Sequence, residues 1–158
     1  MFARLGPARP AQGADVIARA VGALALAALA VIHVVDLPGT LGPTPLVGAG
    51  YLAIIAAAVV TGGLMITRSH WLAWAAAGGV AASAMGGYVL TRAVPGGFLG
   101  DHTDVGNWRC PLGITALSVE AILILLVVLA AWQARSGRTT PQPQPEPARP
   151  RTPEFSQR

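Results

Sequence analysis

The chain has 158 residues, 53% of them hydrophobic and only 11% charged, with a formal net charge of +4. A soluble domain carries about 25% charged residues, so this composition, with a mean hydropathy of +0.56, argues against a soluble globular domain and for a membrane protein. All eleven basic residues are Arg, and they are scattered around apolar segments instead of forming a patch with aromatics. The arginines therefore read as topology signals, and nucleic acid is excluded as a partner. The single cysteine, Cys110, rules out an internal disulfide and any CxxC motif. Arg-only basic usage together with abundant Ala fits a high-GC bacterial genome.

Residues 1–14 carry Arg4 and Arg9 among Pro and Gly and are expected to form a loose cytoplasmic end. The first apolar segment covers about residues 16–35, with Arg19 snorkelling to the interface. Its length and the HVVDLPGT that follows favour a retained helix over a cleaved signal peptide, whose apolar region runs about 7–15 residues before a small-residue cleavage site. Pro38 and Gly39 are expected to end it. The second segment covers about 46–67, with Thr44 as cap and Pro45 in the first turn. Arg68, Ser69 and His70 then make a short antiparallel turn.

The third segment covers about 71–91. Ala75, Gly79, Ser83 and Gly87 recur four apart, with Gly78, Ala82 and Gly86 beside them. Small residues at this spacing let helix backbones approach closely in lipid, so this helix is expected to be the most enclosed. A glycine- and proline-rich loop over 92–111 follows, then a fourth segment over about 112–132. The tail over 136–158, with six prolines after Thr139, is expected to be disordered, polyproline-II-prone and cytoplasmic. Its Pro147–Pro150 stretch matches the PxxP ligand pattern. Arg4, Arg9, Arg19, Arg68, Arg135 and Arg138 fall on one side, and only Arg92 and Arg109 on the other. The positive-inside rule then places both termini in the cytoplasm. The expected fold is all-α: an antiparallel four-helix transmembrane bundle over 15–135, in the cytoplasmic membrane.

Most polar chemistry sits in one stretch, RAVPGGFLGDHTDVGNWRCPLGITALSVE, residues 92–120. Glu120 lies about eight residues into the fourth segment, roughly 12 Å below the interface. A carboxylate there is costly unless protonated or partnered, so it reads as a functional candidate beside the plainer role of packing glue. Ser83, Tyr51 and Tyr88 lie at similar depth, and His33 and Arg92 lie higher. His33 with Glu120 would make a proton-sensitive pair. The Asp101–Asp104 cluster fails the EF-hand pattern, because the acids are three apart and position twelve is Leu112. Asp–Arg pairs are expected to hold this loop instead, with Asn107 and Trp108 against the membrane interface. A metal site from His33, Asp101, His102, Asp104 and Cys110 has no supporting spacing. Asp36 and Arg109 complete the candidates. Esterase, zinc-protease, P-loop and dinucleotide-binding motifs are missing.

At HVVDLPGT and VPGGFLGDHTDVGNWRCPLGITALSVE the chain resembles a group of small four-helix integral membrane proteins of actinobacteria, whose outer loop carries a motif close to LPG…DDxGNWxEPLG…SLxxE. The likeness covers about a quarter of the chain: Pro95, Gly96, Asp104, Gly106, Asn107, Trp108, Pro111, Leu112, Gly113, Ser118 and Glu120. Cys110 stands where the motif has an acid, and His102-Thr103 interrupts its acidic stretch. The resemblance implies membrane topology and a specialised outer loop, and no reaction.

The function expected is non-enzymatic: an ordered outer loop, pinned by Glu120 and Trp108, presented to an envelope partner or a small ligand. No cofactor is expected in this reading, and a homo-oligomer is compatible with it. The alternatives are a metal- or haem-binding redox protein using His33 and His102, and a proton-coupled transport or sensing element built on Glu120.

Overall fold

The computed structural model describes residues 10–67 and 71–136, with side chains from residue 13 onward. The expected turn at 68–70, the tail beyond Ser136 and Arg4, Arg9 and Arg138 lie outside the described residues. The rest is all-helical: α1 (Pro10–Leu41), α2 (Pro45–Thr67), α3 (Trp71–Ala93) and α4 (Pro111–Ser136). Each helix is long and apolar enough to cross a membrane. The shorter ones, at 23 residues, reach about 34 Å at 1.5 Å per residue, against a hydrocarbon core of about 30 Å. Large apolar side chains such as Ile17, Leu24, Ile66 and Leu125 point outward, as they do where lipid is the solvent. The chain is a multi-pass membrane protein.

Every helix overruns its apolar run, most of all α1, expected over 16–35 and found over 10–41. Apolar residues mark the stretch matched to hydrocarbon, whereas backbone hydrogen bonding continues the helix into the headgroup region. The expected loose end over 1–14 is therefore corrected from residue 10 onward: Pro10 suits a first helical turn, where its missing N–H has no partner to lose. Pro38 does not break α1 either. It lies in the last turn, where a proline removes one backbone bond and few turns remain to be disrupted. Thr40 donates its hydroxyl to the Asp36 carbonyl at 3.1 Å and so shores up that turn.

Packing runs round a square: α1 on α2, α2 on α3, α3 on α4 and α4 on α1, with the first seam the most extensive and the α2–α3 seam the least. In the α1–α2 seam Leu26 and Leu29 share a core with Ala58 and Met65, and Gly62 faces Leu26. A Cβ at Gly22 would lie 2.7 Å from Met65 Cε, so glycine is what permits the approach. Arg19 does not simply reach the interface. Its guanidinium donates to the carbonyls of Met65 and Ile66 at 2.7 and 2.9 Å, capping carbonyls that the end of α2 leaves unsatisfied. Thr44 precedes α2 as expected, and its carbonyl accepts the Gly48 N–H. Its hydroxyl turns back to the Thr40 carbonyl instead of capping forward.

The stripe of α3 that enters the core is Ala73, Ala77, Val80, Ala81 and Ala84. Of the expected small-residue stripes, Gly78 does approach α4, where an added Cβ would lie 3.3 Å from Val127 Cγ1, but Gly79, Gly86 and Gly87 face open space. The helix carries small residues on several faces, and its neighbours select the buried one. α1 is as enclosed as α3.

Candidate functional site

The site is built from the ends of the helices at the loop end of the bundle, where α1 leads to α2 and α3 leads to α4. Arg92 organises it. It closes α3 and is buried at 7% exposure. A buried guanidinium has five donors to satisfy, and all three of its nitrogens reach acceptors. Nε donates to the Asn107 carbonyl at 2.9 Å, one terminal nitrogen to Thr91 Oγ1 at 2.8 Å, and the other pairs with Asp104 Oδ2 at 3.2 Å. The guanidinium also stacks 3.7 Å over the Tyr88 ring, a cation–π contact that strengthens where water is scarce. The Arg92 carbonyl accepts the Gly106 N–H at 3.0 Å. One residue thus ties three points of the loop to the bundle.

The loop itself is ordered by turn chemistry. Phe98 to Asp101 make a tight turn, closed by an Asp101 N–H to Phe98 carbonyl bond at 3.0 Å. Leu99 and Gly100 both take positive φ at its centre, the mark of a type I′ turn. Gly97 has φ +91° and lies against the Asp101 carbonyl, where no Cβ fits. Asp101 is buried at 4% exposure, and its Oδ1 accepts from the Thr103 N–H, the Thr103 hydroxyl and the Asp104 N–H. Trp108 packs edge-on to Tyr88, and its carbonyl accepts the Tyr88 hydroxyl at 3.1 Å.

The expectation of an Arg–Asp-held loop is met at Arg92 and Asp104. The pinning by Glu120 is not: Arg92 and Tyr88 hold the loop, and Glu120 lies below it in α4, because its side chain is too deep to reach the turn residues. Trp108 does take part, but against Tyr88, with about half its surface exposed. His102, Asn107 and Arg109 are exposed. Among the described residues no three His, Cys, Asp or Glu side chains gather as a metal site would require. Asp101 and Asp104 are engaged within the loop, and His33 sits on α1, so the five residues once grouped as a conceivable site are dispersed.

Beneath the loop lies a cavity of about 660 Å³, lined by all four helices and roofed by Phe98 and Leu99. His33, Asp36, Tyr51, Tyr88, Arg92 and Glu120 all reach it, in a wall otherwise made mainly of Ala, Gly, Val, Ile and Leu. On α1, His33 Nδ1 lies 2.9 Å from the Leu29 carbonyl. A carbonyl only accepts, so Nδ1 carries the proton and Nε2 of the neutral ring is left as an acceptor. The Tyr51 ring packs edge-on to His33 at 4.8 Å and its hydroxyl donates to Asp36 Oδ2 at 2.9 Å. No bond joins His33 to Glu120. Glu120 is 1% exposed, and its Oε2 has no hydrogen-bond partner among the described residues.

Comparison with protein-family models, with curated proteins and with solved structures gives no match to this chain. The site therefore has to be read from its own chemistry.

That chemistry is acceptor-rich. Arg92 is committed to the loop, the Tyr51 hydroxyl to Asp36 and the Tyr88 hydroxyl to Trp108, which leaves carboxyl oxygens and an imidazole nitrogen on the wall beside the Ser83 hydroxyl and the Cys110 thiol. Sequence reasoning placed Ser83, Tyr51 and Tyr88 at the depth of Glu120, with His33 and Arg92 above them, and the cavity brings all six together. It missed Tyr88 as the hub under Arg92, the engagement of Thr91, and the position of Cys110 on the cavity wall. Gly113 was the available signal for Tyr88, since a Cβ there would collide with the Tyr88 ring.

Proposed function

We propose that this chain is a multi-pass protein of the cytoplasmic membrane, with both termini inside, that binds a small lipophilic ligand beneath an outward-facing loop and catalyses no reaction. The observation that carries the reading is the 660 Å³ cavity under the Arg92-pinned loop. Its size falls within the range of about 300–1,000 Å³ typical of small-molecule sites, and its apolar wall with a few convergent polar groups has the usual composition of one. The orientation rests on the arginine bias. The ligand branch has more support than an envelope partner: the polar groups of Arg92, Asp101 and Asp104 are spent on the loop's own structure, which leaves few to recognise another protein.

Cys110 provides the test, because it is the chain's only cysteine and lies on the cavity wall. In nanodiscs, its alkylation by a maleimide is expected to be slowed saturably by at least one of dodecylamine, dodecanol and dodecanoate. Gly79→Leu and Gly87→Leu should each abolish that protection. Both glycines line the cavity with open space where a Cβ would go, so the variants fill it without a clash. No protection by any of the three, or protection that survives both variants, overturns the reading.

A further inference from the structure

We infer that the cavity's ligand is an amphiphile with a primary ammonium headgroup, seated on Glu120 with an acyl or alkyl tail leaving between α2 and α3; this rests on the ligand-binding reading above. The headgroup follows from the groups left unspent. Glu120 is 1% exposed, lines the cavity and has an oxygen without a hydrogen-bond partner among the described residues. A carboxyl oxygen removed from water and left unmatched is costly, and more so when charged, so the group that completes it should be a donor. In its neutral form His33 adds an acceptor, Nε2, since Nδ1 donates to the Leu29 carbonyl. Asp36 adds a second carboxylate. The single cation on the wall, Arg92, is already paired with Asp104. An ammonium brings three donors and no acceptor, together with the charge that this wall lacks. A carboxylate or phosphate headgroup would bring further acceptors to a wall whose Glu120 oxygen lacks a donor.

The tail's path follows from where the wall is thin. Gly50 and Ala53 of α2 and Ala76, Gly79 and Ser83 of α3 line the cavity and are exposed at the same time. The cavity therefore opens sideways through the least packed seam of the bundle, onto the surface that lipid covers. An apolar chain leaving by that gap stays among hydrocarbon along its length. The small residues of α3, which sequence reasoning assigned to helix contact, form one side of this exit.

Cys110 alkylation in nanodiscs of phosphatidylcholine and phosphatidylglycerol separates the outcomes. Dodecylamine should protect the thiol at a concentration at least tenfold below dodecanol, and dodecanoate should protect least. Glu120→Gln should weaken dodecylamine protection at least tenfold and dodecanol protection far less, an unchanged melting temperature in detergent showing that the variant is folded. If Glu120→Gln does not fold, Glu120→Asp, which keeps the charge and withdraws it by one methylene, should cost dodecylamine selectivity in the same direction. Equal protection by amine and alcohol, or an unchanged amine preference in the folded Glu120 variant, overturns this inference while the cavity remains a binding site. Failure of all three amphiphiles overturns both. Phosphatidylethanolamine added to the disc identifies the source: competition with dodecylamine marks a bilayer lipid as the amine donor, and no competition marks a free lipophilic amine.

Discussion

Arg92 and Tyr88 show how much of an ordered loop can depend on one helix end. Arg92 is buried and serves Asn107, Thr91 and Asp104 at once. Removing one partner of a buried, hydrogen-bonded ion pair costs about 3–5 kcal/mol. Asp104 keeps 30% side-chain exposure, so Arg92→Ala should fall near the lower end of that range, at about 3 kcal/mol. It should be visible as a lower melting temperature in detergent and as new protease cleavage between residues 94 and 110. An unchanged cleavage pattern would show that the loop is held by other means. Gly113 is the counterpart under Tyr88. Gly113→Ala puts a methyl into the Tyr88 ring, an overpacking that costs about 1–3 kcal/mol. In a Tyr88→Ala background the same substitution should cost almost nothing. Additive losses in that double-mutant cycle would contradict the contact.

The helices show what local rules decide and what they leave open. α2, α3 and α4 begin within one residue of where apolar patterning and turn residues place them. α1 does not stop where its proline suggests. A proline breaks a helix by removing a hydrogen bond and crowding the preceding turn, and in a final turn both effects are small. Pro38→Ala supplies an N–H to the Val34 carbonyl and should leave the melting temperature unchanged or raise it, by a gain of about 1 kcal/mol at most. A clear drop in melting temperature would mean that the proline sets the direction of the α1–α2 connection. The small residues of α3 carry a second lesson. Ala73, Ala77 and Ala81 pack in the core while Gly79 and Gly87 border empty space. Spacing alone is equal for the two stripes, so the pattern announces close approach without saying on which face.

At the scale of the whole molecule, arginine bias makes the orientation testable. An impermeant maleimide should label Cys110 in intact cells. In a Cys110→Ser background, a cysteine introduced by Ser69→Cys should label only after permeabilisation. The reverse pattern would invert the topology and place the cavity mouth on the cytoplasmic side. The square arrangement of helices has its own consequence: a tight α1–α2 seam and a loose α2–α3 seam leave the bundle open to lipid on one side near the loop. A closed bundle of the same helices would have sealed Glu120 against apolar neighbours.

The sequence alone determined that this is a helical membrane protein with four spans and one polar loop. That much is local: apolar runs of about 20 residues can satisfy their backbone in lipid only as helices, and turn residues mark where each must end. It also singled out Glu120, since a carboxyl in such a run is conspicuous whatever surrounds it. Only the tertiary structure decided that Glu120 borders a void instead of a partner, that Arg92 is spent on the loop, and that Gly79 and Gly87 line the cavity. A void belongs to the gap between four helices and to no residue, and its size depends on how far each seam closes. Side chains compete for the same partners across those seams, and which acceptor is left over is settled only when all of them are in place.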